Sequence, residues 1–213
     1  MARSIDNIVV GVRSIDKATD MWIDHFGLDV VSERNGADSD LSKLWGLDDD
    51  QIEKQVLLTT PQVEVGRIHL VQFKNPLLPV RQHANATDLG PKNLDLKCLD
   101  LPKKYHELID LGYSFRSKYV AYQIESIGAD VLEVQMPGHD DTNIIFVDEI
   151  CEKIKLSTKG YGGITSLVTI VSDLEEETDF FVDLFSLKEI VSEDLFGDHV
   201  EKMIGLPKGG EVG

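Results

Sequence analysis

The chain has 213 residues and a formal net charge of −17, from 21 Lys and Arg against 38 Asp and Glu. This balance argues against a nucleic-acid partner, because phosphate recognition needs clustered Lys and Arg. No apolar stretch is long enough to span a bilayer and no apolar signal region opens the chain, so we expect no membrane partner. The two cysteines make no disulfide framework and favour a reducing, cytoplasmic location.

The first predicted elements are a strand, a helix and a second strand. Residues 7–12 alternate between two faces, which is typical of a β-strand with one buried side. Asp16 is placed to cap the following helix, whose apolar residues recur at three-to-four spacing. Gly27 predicts the end of that helix, and residues 28–31 predict the next strand.

Two further strands complete this first unit. Residues 32–53 are polar and acidic, so we predict a loop with one short element, anchored to the sheet by the apolar residues of 44–47. Residues 55–60 and 66–73 then predict two strands. The unit therefore has the order strand, helix, strand, strand, strand.

The same pattern recurs twice. Its first strands begin at Asn7, Asn93 and Ser166, which are 86 and then 73 residues apart. In the second copy, Pro102 suits a first helical turn, and strands are predicted near 113–122, 130–136 and 143–148. Cys98 is expected to face the helix as a buried apolar group. In the third copy, a helix begins after Asp173 and a strand is predicted at 187–191.

These repeats predict three modules, and the third stops early. Residues 203–206 resemble residues 44–47, after which two strands follow in the first module. We therefore expect further strands in a longer protein, or, alternatively, a homodimer in which a partner completes the sheet. The predicted division is a first module at 1–75, a connection at 76–92, a second module at 93–150, a linker at 151–163 and an incomplete third module at 164–213.

This organisation resembles the vicinal oxygen chelate superfamily, which includes glyoxalase I, extradiol dioxygenases, fosfomycin-resistance enzymes and bleomycin-binding proteins. The resemblance implies an α+β fold in which repeated βαβββ modules form curved mixed sheets. Paired modules of that fold form a cup. The segments that carry the resemblance are 6–12, 28–31, 44–47, 56–58 and 66–73.

The family's metal positions are filled by unsuitable residues. The resemblance implies ligands on the first and last strands of each module, which here are Asn7 and His69, then Asn93 and Ile145. A catalytic zinc takes about three ligands from His, Cys or carboxylate, and a non-haem iron takes two His and a carboxylate. The sequence therefore argues against a divalent metal within residues 1–148 and leaves any other cofactor unknown.

Polar residues are nevertheless expected on the concave face, where a small molecule would bind. His69 could act as a general acid or base, or could be a half-buried histidine bonded to a neighbour. Asp95 and Lys97 could bind a ligand or form a cross-strand ion pair. The predicted ligand-binding residues are Asn7, Arg67, His69, Asn93, Asp95 and Lys97.

Two hypotheses from different classes follow. The first is a metal-independent protein that binds a small metabolite in the cup of paired modules. The alternative is a metal-dependent lyase, isomerase or extradiol dioxygenase, whose ligands would lie in a C-terminal part beyond these residues.

Overall fold

A computed structural model describes residues 6–36, 38–48, 50–149 and 155–212. It confirms the α+β class, with mixed sheets. The strands are β1 (Asn7–Val12), β2 (Asp29–Asn35), β3 (Ile52–Thr59), β4 (Arg67–Phe73), β5 (Gly90–Cys98), β6 (Val120–Ile124), β7 (Ala129–Pro137), β8 (Asn143–Glu149), β9 (Tyr161–Ile170), β10 (Leu195–Phe196) and β11 (Glu211–Val212).

Five α-helices connect these strands in the described residues, and none is long and apolar enough to cross a membrane. The first continues as a π-helical segment, Asp20–His25, and ends before Gly27 as predicted. A 3-10 turn, His139–Asp141, lies between β7 and β8. The α-helices are α1 (Ile15–Thr19), α2 (Ser39–Trp45), α3 (Leu101–Asp110), α4 (Leu174–Phe185) and α5 (Asp198–Ile204).

The first two repeats build sheets with the same strand order. Sheet 1 has the order β1-β4-β3-β2, and four strands of sheet 2 follow the matching order β5-β8-β7-β6. In each, the first strand runs parallel to the last, while the other pairs are antiparallel. The repeated βαβββ topology predicted from the sequence is therefore confirmed.

The third repeat joins the second through their first strands. β9 runs antiparallel to β5 along its free edge, with Asp95 opposite Ser166. β9 begins at Tyr161, so residues 161–163 belong to a strand and not to the predicted linker. The short strands β10 and β11 pair antiparallel, as β2 and β3 do. The modules whose first strands pair are thus the second and the third.

One core extends across the helical sides of both sheets. Phe26 follows the π-helical segment and packs 4.7 Å from Tyr161 and 5.5 Å from Phe146, between ring centroids. Trp22 is fully buried beside it. Such aromatic burial contributes strongly to stability, because these rings remove large apolar areas from water. Cys98 lies in the same core as predicted, and Cys151 lies outside the described residues.

Three local predictions in the first module were wrong. The first helix is capped by Ser14, whose side chain accepts a hydrogen bond from the Lys17 amide, and not by Asp16. β2 continues to Asn35 and so extends into the predicted loop. All its residues are exposed, because β2 lies at the edge of sheet 1. The short element predicted within the loop is α2, but Leu44 on it is 76% exposed and does not anchor it to the sheet.

In the described residues, the strand predicted near 113–122 begins only at Val120, as β6, and the strand predicted at 187–191 is absent. Residues 113–119 are irregular, because Phe115 and Tyr119 are held by ring contacts to Tyr105 on α3 instead of by backbone pairing. Residues 187–191 form no strand. The preceding helix α4 begins at Leu174, directly after its N-cap Asp173, as predicted, but none of its residues is buried, so its apolar stripe packs on no core formed by the described residues.

Candidate functional site

The face of sheet 2 that points away from the main core, here called the open face, carries a dense set of polar side chains. Residues opposite one another in register share a face, and Asn93, Asp95 and Lys97 lie opposite Asn143, Ile145 and Val147. The other face contributes Leu94, Leu96 and Phe146 to the core. The alternation predicted for β5 is therefore confirmed. The polar residues on the open face of β5, β7 and β8 are Asn93, Asp95, Lys97, Glu133, Gln135, Asn143 and Glu149.

A buried amide network lies at one end of this face. The Nδ2 group of Asn143 donates to Oδ1 of Asn93 and, over 3.2 Å, to Oε1 of Gln135. Its Oδ1 atom accepts a 2.8 Å hydrogen bond from Nη1 of Arg116. The three amide residues are 2–5% exposed. Each amide therefore has a fixed orientation, as buried polar groups require.

Two carboxyl groups lie further along the face. Burial, together with the charge of nearby Glu133, raises the pKa of Asp95 to about 6, although the Ser166 hydrogen bond and the charge of Lys97 lower it in part. The Ser166 hydroxyl donates to Oδ2 of Asp95, while Oδ1 is buried without a hydrogen-bond partner among the described residues. Burial also raises the pKa of Glu133, which accepts a hydrogen bond from the Tyr122 hydroxyl. Asp95 is therefore a carboxyl group of this face that could exchange a proton near neutral pH.

Of the two alternatives for Asp95 and Lys97, the ion pair does not form among the described residues. Lys97 instead pairs with Glu149, near the end of β8. Asp95 and Lys97 follow one another on the same face of β5, so their side chains are separated along that strand. Glu149 lies on the adjacent strand β8, next on the same face after Val147, which is opposite Lys97. Asp95 is consequently left without a cationic partner among the described residues.

The other three predicted residues lie on sheet 1. Arg67 forms an ion pair with Asp6, and Nδ2 of Asn7 donates to the same carboxylate over 2.8 Å. Nε2 of His69 lies 2.9 Å from Oε1 of Gln55, and burial lowers the pKa of His69. This geometry matches a half-buried histidine bonded to a neighbour. A catalytic role for His69 stays a prediction.

The six predicted ligand-binding residues thus form two groups, one on each sheet. No hydrogen bond or ion pair between described residues connects the groups. Asn7 and His69 lie on β1 and β4 of sheet 1, whereas Asn93 lies on β5 of sheet 2, and β5 pairs with β8 and β9 but not with β1. Their part in ligand binding stays a prediction.

A cavity of about 640 Å³ opens beside the amide network. Asn143 and Arg116 line it, together with Lys92, which precedes Asn93, and Arg81 from the connection after β4. Glu133, Gln135 and these three cations were not predicted from the sequence. The alternation of Glu133 and Gln135 with the apolar residues of 131–136 was a usable signal for two of them. No local pattern indicated the cations, which come from separate loops and a strand end.

The donor sets at the family's metal positions do not fit a metal ion. Across the described residues, no three His, Cys, Asp or Glu side chains lie close enough together to hold one. At the predicted positions, Asn93 is engaged with Asn143 and His69 with Gln55, on different sheets. Amide groups are also poor ligands for zinc or iron.

Comparison with known proteins identifies similar structures. No protein-family model matches the chain, and no curated protein matches it. A glyoxalase family protein from Bacillus cereus superposes with a TM-score of 0.57 at 20% identity, over 68% of this chain and 93% of that one. A Bacillus subtilis protein that carries a dioxygenase assignment superposes with a TM-score of 0.60 at 12% identity, over 90% of this chain. The chain spans 57% of the length of that second protein.

Proposed function

From the premise that this chain has the vicinal oxygen chelate fold, we propose that it binds a small metabolite on the open face of sheet 2, without a metal in residues 1–148. The observation that carries the proposal is the amide network of Asn93, Gln135 and Asn143, which is buried yet lines a cavity through Asn143. Fixed donors and acceptors beside a cavity of several hundred Å³ are typical of small-molecule sites. Asp95 and Lys97 extend the polar face along β5.

The experiment is a thermal-shift screen with small oxygenated and aromatic compounds. We expect at least one compound to raise the melting temperature of the wild-type chain. Asn93→Leu should abolish that shift, because it removes the acceptor that orients the Asn143 amide beside the cavity. Asn93→Ser serves as a second variant if Asn93→Leu unfolds.

Asn35→Leu is the control, since Asn35 is an exposed polar residue on the edge strand β2 of sheet 1. It should leave the shift unchanged. An equal loss in both variants would contradict a site on sheet 2, and a screen without any stabilising compound would contradict the proposal as a whole.

A metal-dependent lyase, isomerase or extradiol dioxygenase is the second candidate. The superposition on the dioxygenase-assigned protein over 90% of this chain favours it. Its metal ligands would have to come from residues other than those described. Metal analysis of the full-length protein separates the two candidates, because stoichiometric iron, manganese or zinc would support the enzyme.

A further inference from the structure

We propose that the cavity beside Asn143 binds a small oxyanion, a carboxylate or a phosphate group, through Arg81, Lys92 and Arg116. This inference rests on the proposed function and names the ligand class of the same site. All three cationic side chains line the one cavity. In a chain with a net charge of −17, such a concentration of cations in one place is unexpected.

None of the three cations is neutralised within the described residues. Lys92 is only 8% exposed and has no ion pair or side-chain hydrogen bond there. Burial of the Lys92 side chain disfavours the charge of this unpaired ammonium group, and a bound anion would offset that cost. Lys92 is therefore the centre of the proposed site.

The two arginines are held in place by neutral acceptors. Nη1 and Nη2 of Arg81 donate to the backbone carbonyls of Asp88 and Asn85, over 3.2 and 3.0 Å. Arg116 donates through Nη1 to Asn143. These contacts orient each guanidinium without using up its charge, and each has further N–H groups left for a ligand. An oxyanion is the natural complement of such forks.

The three cations also act on one another. The pKa of Lys92 falls to about 8, first through burial and then through repulsion by Arg116 and Arg81. Burial and the charge of Arg81 likewise lower the pKa of Arg116. Among the described residues that line the cavity, one carries a carboxylate, Asp141, so the positive charges outnumber the negative ones. An anion between the cations would replace repulsion with attraction.

The other residues that line the cavity indicate the chemistry of the uncharged part of the ligand. Ile204, Leu206 and Pro207, at the end of α5, form an apolar side of the cavity. Its volume of about 640 Å³ exceeds that of a bare inorganic ion. The site therefore suits a small organic acid or phosphate ester, with its charge toward Lys92 and its carbon skeleton toward α5.

The test is calorimetric titration of the chain at pH 7 and fixed ionic strength, with inorganic phosphate, malonate and the uncharged malonamide. We expect phosphate or malonate to bind and malonamide not to bind. Lys92→Met should weaken anion binding at least tenfold. Lys43→Met, a change of an exposed lysine on α2, is the matched control and should have no effect.

Asp141→Asn provides a variant in which binding should improve. Asp141 is exposed and its φ of 57° is tolerated by Asn, so the fold should be unaffected. Removing this carboxylate should tighten anion binding several-fold, even if Lys92→Met fails to fold.

The other possible results each contradict either the anion site or the proposed function. Equal affinity for malonate and malonamide, or equal effects of Lys92→Met and Lys43→Met, would overturn the anion site. If neither anion binds but a neutral compound from the thermal-shift screen does, the anion inference is wrong and the proposed function stands. If nothing binds, both are wrong.

Discussion

Asn143 should be unusually important for stability among the polar residues of this chain. Asn143→Ala removes the donor from two acceptors, Oδ1 of Asn93 and Oε1 of Gln135, whose residues are 3% and 2% exposed. A buried polar group left unpaired costs about 1–3 kcal/mol. Since water can enter from the cavity and satisfy part of this loss, we expect the free energy of unfolding to fall by about 3 kcal/mol.

Urea unfolding followed by tryptophan fluorescence measures this loss, because Trp22 is fully buried in the core. Asn35→Ala, at an exposed position of the edge strand β2, is the control and should change the free energy of unfolding by less than about 0.5 kcal/mol. The reasoning would be refuted if the two variants lost the same stability. A double-mutant cycle with Asn93→Ala should give a coupling energy of at least about 1 kcal/mol.

Two further predictions concern the backbone and the pH dependence. Gly66→Ala should destabilise the chain by at least about 2 kcal/mol more than Gly36→Ala. A Cβ on Gly66 would collide with the Ile164 carbonyl oxygen. Gly36 has a positive φ like that of Gly66, but a Cβ there would meet no neighbouring atom. Equal unfolding midpoints for the two would contradict this close contact. Asp95 has its pKa raised to about 6 in the folded state, so its ionisation destabilises the fold as pH rises from about 4 to 6. Asp95→Asn should therefore gain up to about 3 kcal/mol at pH 7 and nothing near pH 4, and unfolding titrations that show a gain at both pH values would contradict the shift.

Local patterns predicted the sheets well where they agreed with the tertiary environment. In β5, Leu94, Leu96 and Cys98 face the core and their neighbours do not, as the alternation indicated. The same holds for Ile68 and Leu70 in β4. The order of strands within each repeat was not a local matter, because β1 pairs with β4, and Asn7 lies opposite Arg67 near the end of the module.

The site was less predictable because it depends on which strands pair at long range. β1 and β5 carry similar patterns and each has an edge that β9 could join, and nothing local shows that β9 joins β5. Lys97 was expected beside Asp95, but its partner Glu149 is 52 residues away in sequence. The cations Arg81, Lys92 and Arg116 likewise converge only through the folded chain. Residue type indicated polarity at these positions, and the topology decided which polar groups meet.

The position of β5 between β8 and β9 affects how the chain acquires its structure. The Asp95 to Ser166 contact across that pair joins residues 71 apart in sequence. During synthesis, β6, β7 and β8 can assemble on β5 before β9 has been made, which leaves one side of β5 without hydrogen-bond partners. Pairing between such distant residues is slow because the intervening loop must first be ordered. A nascent chain paused before β9 would therefore expose this unpaired edge of β5, and we expect chaperones to bind it.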